Sequence, residues 1–279
     1  MKLLPLLLAF AASIVAHPLH AEHDGKLQVL LLGDSTTEAK IPKQLQPKGP
    51  HFEDVIRILM AAEKDMPPCN VINSGVSGEF IRRLIDSKRY EKQVQKLPGL
   101  DYIFIRYGIN DQAKRENFTE NFPKDYQELL GLLKRDHPKA QIIIMSIIPF
   151  GNLEKNREVN VLNEKIAKEA GLPLFDIFPR YVAELKKGEN MLNYRRISLD
   201  KIPAQYLDIV KPFTFQNPPG VVVLDNQLDA ILGHIPTWYS DRHPNAAGYN
   251  VIVDETAKYL TKVIREKKGA AAPAAAKGQ

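Results

Sequence analysis

Apolar residues recur along the chain in two patterns, short continuous runs and longer stretches with helical spacing. The first run, 29–32, is uninterrupted, which is typical of a strand buried on both faces of a sheet. Strands are predicted over 27–32, 70–73, 102–107, 141–148 and 174–177. Helices are predicted over 51–64, 79–88, 89–97, 123–136, 156–170 and about 244–266, with Gly171 as a stop for the fifth. This alternation favours a three-layer α/β/α fold with a flavodoxin-like, doubly wound, parallel five-stranded sheet.

Other segments depart from the alternation. Residues 1–21 carry a basic start and an apolar stretch that is short for a membrane span, so we expect a signal peptide followed by one domain over 22–266. Residues 36–50 have the composition of a polar, proline-containing loop. Residues 187–237 contain five prolines and scattered aromatic rings, and we interpret them as an insertion over the carboxyl edge of the sheet; a surface excursion without a role is the alternative. Residues 267–279 are rich in Ala, Gly and Lys, which predicts a disordered tail.

The formal net charge of +5 is concentrated outside the predicted domain, because four lysines lie in the leader and the tail. Without them the charge is near +1, which gives no reason to expect nucleic acid as a partner. The single cysteine, Cys69, excludes an intramolecular disulfide and is expected to be a buried apolar residue. The spacing of His and Cys matches no zinc site, and residues 75–78 do not form a phosphate loop, so neither a metal nor a cofactor is expected.

Four candidate functional residues stand where one element gives way to the next. Ser35 follows the first strand, Gly78 the second and Asn110 the third, while His243 directly precedes the last helix. With strand order 2-1-3-4-5, the first three strands are neighbours, and their carboxyl ends bring Ser35, Gly78 and Asn110 together. Each residue alone also has a structural interpretation, as a helix cap, a turn residue or a structural histidine. Their convergence at one edge favours a site.

These positions lie within four short sequence blocks. The blocks are Gly33-Asp34-Ser35, Asn73-Ser74-Gly75-Val76-Ser77-Gly78, Gly108-Ile109-Asn110-Asp111 and Asp241-Arg242-His243-Pro244-Asn245. In this order, over roughly 27–265, they resemble the blocks of the SGNH hydrolases, also called the GDSL family. The resemblance implies that Ser35 is the nucleophile, with an oxyanion hole formed by the N–H groups of Ser35 and Gly78 and the amide of Asn110. The chemistry agrees, because a hydroxyl needs a base such as His243 and an oxyanion needs N–H donors.

The position of the acid departs from the commonest pattern of that family. The pattern places it three residues before the histidine, where this chain has Ser240, whereas Asp241 lies two residues before His243. Either Asp241 orients Nδ1 of His243, or a backbone carbonyl does so and Asp241 is only a helix-terminus residue. We assign Asp241 to the catalytic residues because a carboxylate also stabilises the imidazolium. Asp34 and Asp111 are expected to hold their loops by accepting N–H hydrogen bonds.

The resemblance implies a serine esterase, and the leader predicts a secreted or periplasmic location. A carbohydrate O-acetylesterase is expected because the surface is polar, the chain lacks a long apolar lid, and Trp238 and Tyr239 precede His243. A ring near the site would stack on a sugar, but simple core or rim packing is the more common role of a tryptophan such as Trp238. A lysophospholipase or lipase-type esterase, an acyltransferase of the same fold and a non-catalytic glycan-binding module are the other candidates. The expected partner is a small-molecule or glycan ester, without nucleic acid or stable membrane insertion, and the oligomeric state stays open.

Overall fold

A five-stranded parallel sheet forms the centre of the protein. The computed structural model describes residues 25–188 and 190–271, so the predicted signal peptide and residues 272–279 lie outside the described residues. The strands are β1 (Leu27–Gly33), β2 (Cys69–Gly75), β3 (Tyr102–Arg106), β4 (Gln141–Met145) and β5 (Leu174–Phe175). Their order is β2-β1-β3-β4-β5, and all pairs are parallel. The predicted flavodoxin-like sheet is thereby confirmed.

Helices follow the strands along the chain. They are α1 (Ser35–Glu38), α2 (Lys40–Leu45), α3 (Phe52–Ala62), α4 (Ile81–Asp86), α5 (Ile109–Lys114), α6 (Phe118–Asp136), α7 (Leu153–Ala170), α8 (Phe178–Leu185), α9 (Leu207–Val210), α10 (Asp229–Leu232) and α11 (Ala246–Ala271), with a π-helical turn at Tyr90–Val94. Gly171 ends α7 in the left-handed conformation, as expected from the sequence.

Side chains that alternate along the central strands fill two separate cores. Leu30 and Leu32 of β1 pack on one face with side chains of α4, α6 and α7. Val29 and Leu31 pack on the other face with side chains of α3, α8 and α11. Cys69 is buried in this second core, which confirms its interpretation as an apolar residue. Burial on both faces explains why the strands have continuous apolar runs.

The segment interpreted as an insertion contains a second, antiparallel sheet. Its strands are β6 (Arg195–Ser198), β7 (Thr214–Gln216) and β8 (Pro219–Val223), and their order is β6-β8-β7. A third hydrophobic cluster supports this sheet, and Val221, Val223, Leu232 and Trp238 are among its buried members. The small sheet therefore has a core of its own beside the two cores of the central sheet.

Several sequence-based boundaries are wrong. Residues 36–50 are not one loop, because the chain forms α1 directly after β1 and then α2. Helix α6 begins at Phe118, before the predicted start at Pro123, and the stacked rings of Phe118 and Phe122, with centroids 5.0 Å apart, extend it in that direction.

The predicted disordered tail is also partly wrong, because α11 continues to Ala271. Alanine and lysine are good helix formers, and a cation near the last turn interacts favourably with the helix dipole. Lys268 donates a hydrogen bond from Nζ to the carbonyl of Asp65 at 2.7 Å, and Nζ of Lys267 lies 5.9 Å from the ring centroid of Tyr102. These contacts hold the end of the helix on the body of the protein.

We expect Gly108→Ala to lower the free energy of unfolding by about 2 kcal/mol or more. Gly108 has a φ of +136°, and an added Cβ would lie 2.2 Å from Cγ1 of Val159. Gly131→Ala is the matched control, because this exposed position in α6 has no atom within 4 Å of an added Cβ. It should raise stability by about 0.5–1 kcal/mol through helix propensity. Urea unfolding of both variants is the measurement, and an unchanged midpoint for Gly108→Ala would contradict the expectation.

Candidate active site

The predicted site residues meet at the carboxyl edge of the central sheet. Ser35 is the first residue of α1, directly after β1, and Gly78 lies in the loop that follows β2. Asn110 lies in the first turn of α5, after β3. These three residues and His243, from the loop before α11, line the same cleft. Residues that lie far apart along the chain are therefore brought together as the strand order predicted.

Ser35, His243 and Asp241 form a continuous hydrogen-bonded chain. Nε2 of His243 lies 2.9 Å from Oγ of Ser35, and Nδ1 lies 2.7 Å from Oδ1 of Asp241. The backbone N–H of His243 also donates to this Oδ1, at 2.9 Å. Asp241 thus makes the contact with Nδ1 that the first of the two alternatives requires, despite the short spacing. All these distances are suitable for hydrogen bonds and for transfer of a proton.

Both carboxylate oxygens of Asp241 have partners, although only 5% of its side chain is exposed. Oδ2 lies 2.7 Å from Nε of Arg196, which belongs to β6 of the small sheet. Burial acts to raise the pKa of Asp241, but the hydrogen bonds and charge of His243, together with Arg196, outweigh it and hold this pKa below its usual value. A negative charge is therefore maintained next to the imidazole at neutral pH.

The loop that carries His243 is fixed by the segment that leads into β6. The ring of Tyr194 stacks on the imidazole with centroids 5.7 Å apart, and Phe150 meets it edge-on at 4.9 Å. The N–H of Tyr194 donates to the carbonyl of His243 at 3.2 Å, and Nδ2 of Asn245 donates to the carbonyl of Met191 at 2.8 Å. These contacts determine the orientation of the imidazole relative to Ser35.

The loop that carries Gly78 is attached to the first helix of the site and to α5. The backbone N–H of Ser77 donates to Oε2 of Glu38 in α1 at 2.6 Å. Nζ of Lys114 in α5 donates to the carbonyl of Gly78 at 2.7 Å. Because Glu38 lies in the same helix as Ser35, these contacts fix the loop relative to the Ser35 hydroxyl.

Asp34 and Asp111 hold their loops, as the sequence analysis expected. Oδ1 of Asp34 accepts the N–H of Thr36 at 2.9 Å, and Oδ1 of Asp111 accepts the N–H of Ile81 at the same distance. Burial raises the pKa of Asp34 and raises the pKa of Asp111 to about 7. Through these two hydrogen bonds, both carboxyl groups stabilise the turns on either side of the cleft.

Sequence reasoning misses two arginines at the site. Arg106 is 2% exposed, and its Nη2 donates to the carbonyl of Thr36 at 2.5 Å and to Oγ1 of Thr37 at 3.1 Å, which holds α1 from below. A lone charge inside the apolar run of β3 is the signal that would have found it. Arg196 has no such signal, because nothing in the insertion predicts that this side chain reaches Asp241.

The cleft has a volume of about 970 Å³, with one wall from α2 and another from the small sheet. Lys40, Ile41 and Leu45 of α2 line the first wall, and Arg196 and Phe215 belong to the second. The segment interpreted as an insertion thus lies over the carboxyl edge of the central sheet. Among the described residues of the lining, Lys40 and Arg196 are the Lys and Arg side chains, and Arg196 is paired with Asp241.

Trp238 packs in a core, the more common of its two interpretations, and does not stack on a sugar. Its side chain is 0% exposed within the core of the small sheet, and Nε1 donates to Oδ1 of Asp229 at 2.8 Å. The neighbouring Tyr239 packs against the guanidinium of Arg195, 4.8 Å from the ring centroid. An indole followed by a phenol indicates an aromatic cluster, but only the fold shows that this cluster faces inward. The aromatic rings in the cleft belong instead to Phe150, Tyr194, Phe215 and Tyr249.

Residues 25–188 and 190–271 contain no group of three or more His, Cys, Asp and Glu side chains arranged to hold a metal ion. Within the same ranges, no helix combines the length and the apolar character that a membrane span requires.

Solved structures with the same fold include three esterases and lipases. A catalytic mutant of the acetylxylan esterase Axe2 from Geobacillus stearothermophilus is 16% identical with a TM-score of 0.54, over 84% of this chain and 94% of that chain. The acetyl xylan esterase AlAXEase is 15% identical with a TM-score of 0.54, over 84% and 100%. A putative GDSL-like lipase from Parabacteroides merdae is 17% identical with a TM-score of 0.54, over 84% and 96%. At these identities the likeness shows the fold.

Among curated proteins, no relative matches the chain. The model of the GDSL-like lipase/acylhydrolase family matches residues 31–197, which include three of the four blocks that carried the resemblance. The chain belongs to the GDSL-like lipase/acylhydrolase family, and it is an ester-bond hydrolase.

Proposed function

We propose that the protein is a secreted serine esterase that removes acyl groups, O-acetyl groups above all, from carbohydrates. The observation that carries the catalytic part is the contact chain from Ser35 through His243 to Asp241, with distances of 2.9 and 2.7 Å. Gly78 and Asn110 line the same cleft and are the proposed oxyanion donors together with the N–H of Ser35. Nucleophile, base, acid and electrophilic donors are then present in one place.

In the proposed acylation step, Oγ of Ser35 bonds to the ester carbonyl carbon while Nε2 of His243 accepts the hydroxyl proton. Asp241 stabilises the imidazolium that forms. The negative charge on the former carbonyl oxygen is balanced by N–H donors of Ser35, Gly78 and Asn110. The bond between the acyl carbon and the alcohol oxygen then breaks, and the leaving alcohol takes the proton from His243.

Deacylation follows the same path with water. His243 accepts a proton from the water, whose oxygen attacks the acyl carbon, and collapse of the tetrahedral intermediate returns the proton to Ser35 and releases the acid. A sugar hydroxyl in place of water would make the protein an acyltransferase with the same residues. Product analysis with an added glycan acceptor distinguishes the two reactions.

Two observations support a carbohydrate ester as the substrate. Two of the structures with this fold are acetylxylan esterases by name, which supports the choice among the acyl hydrolases. The cleft carries polar side chains, including Gln44, Ser198 and Asn217, that suit the hydroxyl groups of a glycan. The apolar leader over 1–21 supports export.

A lipase-type esterase is the second candidate, because the cleft also has apolar walls. The cleft is lined by Ile41 and Leu45 of α2 and by Pro218 and Pro219 at the start of β8, and Leu45 is 44% exposed. Such walls suit a longer acyl chain. The length of the preferred acyl group therefore decides between the two candidates.

We expect Ser35→Ala to reduce kcat on p-nitrophenyl acetate by about 10⁴-fold or more, because the acyl-enzyme no longer forms. Ser240→Ala makes the same chemical change at an exposed serine next to Asp241 and should leave kcat unchanged. The rates are measured on purified protein with thermal unfolding as a check on the fold. Full activity of Ser35→Ala would contradict the assignment of Ser35 as the nucleophile, whereas a parent protein without esterase activity would favour the non-catalytic glycan-binding module.

We expect the kcat/KM of p-nitrophenyl esters to be highest for acetyl and to fall from butyryl to octanoyl. In the proposed substrate the acyl group is small and the alcohol is the large part, so the cleft accommodates the alcohol. Acetylated xylo-oligosaccharides, assayed by acetate release, should be cleaved in the same preparation. A maximum at octanoyl or longer would reject the acetylesterase in favour of the lipase-type alternative.

A further inference from the structure

The small sheet turns one face to its own core and the other to the cleft. Val221 and Val223 of β8 are buried in the hydrophobic cluster, whereas Gly220 and Val222 line the cleft. On β6, Arg196 likewise lines the cleft. The face opposite the small core is therefore a wall of the candidate active site.

One residue in the middle of this wall, Gly220, has no side chain. Gly220 is paired with Ser198 of β6 on one side and with Phe215 of β7 on the other, so these residues form a row across the sheet. A Cβ on Gly220 would lie 2.8 Å from Cζ of Phe215, which shows that the ring rests directly on the glycine backbone. A larger residue at 220 would lift the ring from the sheet.

Phe215 has no role in the described hydrophobic cores. It is partly exposed, it belongs to none of the clusters formed by the described residues, and it lines the cleft. A large aromatic ring that is held flat without being buried leaves its outer face available to a ligand.

The surroundings of the ring favour a sugar over an alkyl chain. The lining combines this flat apolar ring with the hydroxyl of Ser198, the amides of Gln44 and Asn217, and the ammonium group of Lys40. A pyranose ring offers C–H groups on its face for the electron-rich ring and hydroxyl groups at its rim for polar side chains. An alkyl chain would contact the ring but would form no hydrogen bond with these polar side chains.

We propose that Phe215, seated on Gly220, is a platform that binds a pyranose ring in the alcohol part of the substrate. This inference rests on the proposed carbohydrate esterase function and names the residue that selects the glycan. Phe215 takes no part in bond breaking. It acts on the affinity for glycan substrates and has no effect on small esters that end before the small sheet.

The test is a binding measurement that needs no turnover. In the Ser35→Ala background, calorimetry with acetylated xylo- and manno-oligosaccharides should give a Kd that rises about tenfold with Phe215→Ala. Phe215→Leu keeps an apolar side chain without the ring and should lose as much. Phe215→Tyr keeps the ring and should stay within about twofold of the parent. Gly220→Ala keeps Phe215 but displaces it and should also weaken binding.

The outcomes separate this inference from the proposed function. An unchanged Kd for Phe215→Leu, or no binding of either oligosaccharide, overturns the platform even if Ser35→Ala abolishes esterase activity. A loss of kcat/KM that grows with acyl length in Phe215→Ala assigns the wall to the acyl group and likewise overturns it. Esterase activity that survives Ser35→Ala overturns the proposed mechanism, while the binding measurement still decides the platform.

A different contact on the same sheet carries a second inference. Because Oδ1 of Asp241 accepts both the backbone N–H and Nδ1 of His243, Oδ2 faces away from the histidine and pairs with Nε of Arg196 at 2.7 Å. Without Arg196, this buried oxygen would lose its ion-pair partner, which is costly for a carboxylate. We propose that Arg196 is a positioning residue that holds the Asp241 carboxylate in the orientation the short spacing requires.

Other titratable and charged groups lie around the contact chain of Ser35, His243 and Asp241. Asp34 and Arg106 lie beneath Ser35, the ring of Tyr194 stacks on the imidazole, and the hydroxyl of Tyr249 donates to the carbonyl of Ser35 at 3.4 Å. Burial raises the pKa of both tyrosines and of Asp34, and lowers that of Arg106. The tyrosines stay neutral near pH 7, so they do not compensate for a charge removed at position 196.

We expect Arg196→Gln to lower kcat on p-nitrophenyl acetate about tenfold and to move the acidic limb of the kcat/KM profile to higher pH by about half a unit or more. Without the guanidinium, the charge of the Asp241 carboxylate is no longer partly neutralised, so it stabilises the imidazolium of His243 more strongly. Arg196→Lys keeps a cation and should leave the limb close to that of the parent, although its single ammonium gives a poorer geometry. A limb for Arg196→Gln that superimposes on the parent profile overturns the positioning role.

Discussion

The parallel register of β1 with its two neighbours is the constraint on which the rest of the site depends. Gly33, the last residue of β1, is the Cα partner of Gly75 on β2 and of Arg106 on β3, so the three strands end level with one another. The register is held by side chains buried on both faces of the sheet, and a slip by one residue would exchange the two cores. The loops after these strands therefore start at one edge, which brings Ser35 beside the loops of Gly78 and Asn110.

The histidine half of the site has no such constraint from the central sheet. His243 precedes α11, and its loop is held by Tyr194 and Asn245 against the segment that leads into β6. Arg196, at the second position of that strand, extends the same arrangement to Asp241. The central sheet thus positions Ser35, while the small sheet and its leading segment position His243 and Asp241. A site of this kind is complete only when both sheets have formed.

How well each part of the fold and the site can be predicted depends on how far apart along the chain the contacting residues lie. The apolar run Val29–Leu32 and the polar turn at Ser35 are signals contained in a short stretch of sequence. Because ligands bind at the carboxyl ends of parallel strands, these signals are enough to predict a site there. The strands of the small sheet are three to five residues long and include Pro219 and Gly220, so they lack an alternating pattern of their own. Their pairing joins residues that are distant along the chain, as does the contact from Arg196 to Asp241. Trp238 illustrates the same limit, since aromatic character does not reveal on which side of a sheet a ring lies.

The two walls of the cleft lead to a consequence for how this site distinguishes substrates. Ser35, Gly78 and Asn110 line the cleft from segments that follow strands of the central sheet. The wall that meets the alcohol or a long acyl chain comes in part from the small sheet, whose face carries Phe215 and Arg196 in adjacent rows. Under the two proposals above, the residue that selects the glycan and the residue that orients the acid therefore lie on the same small sheet, outside the central sheet that carries Ser35.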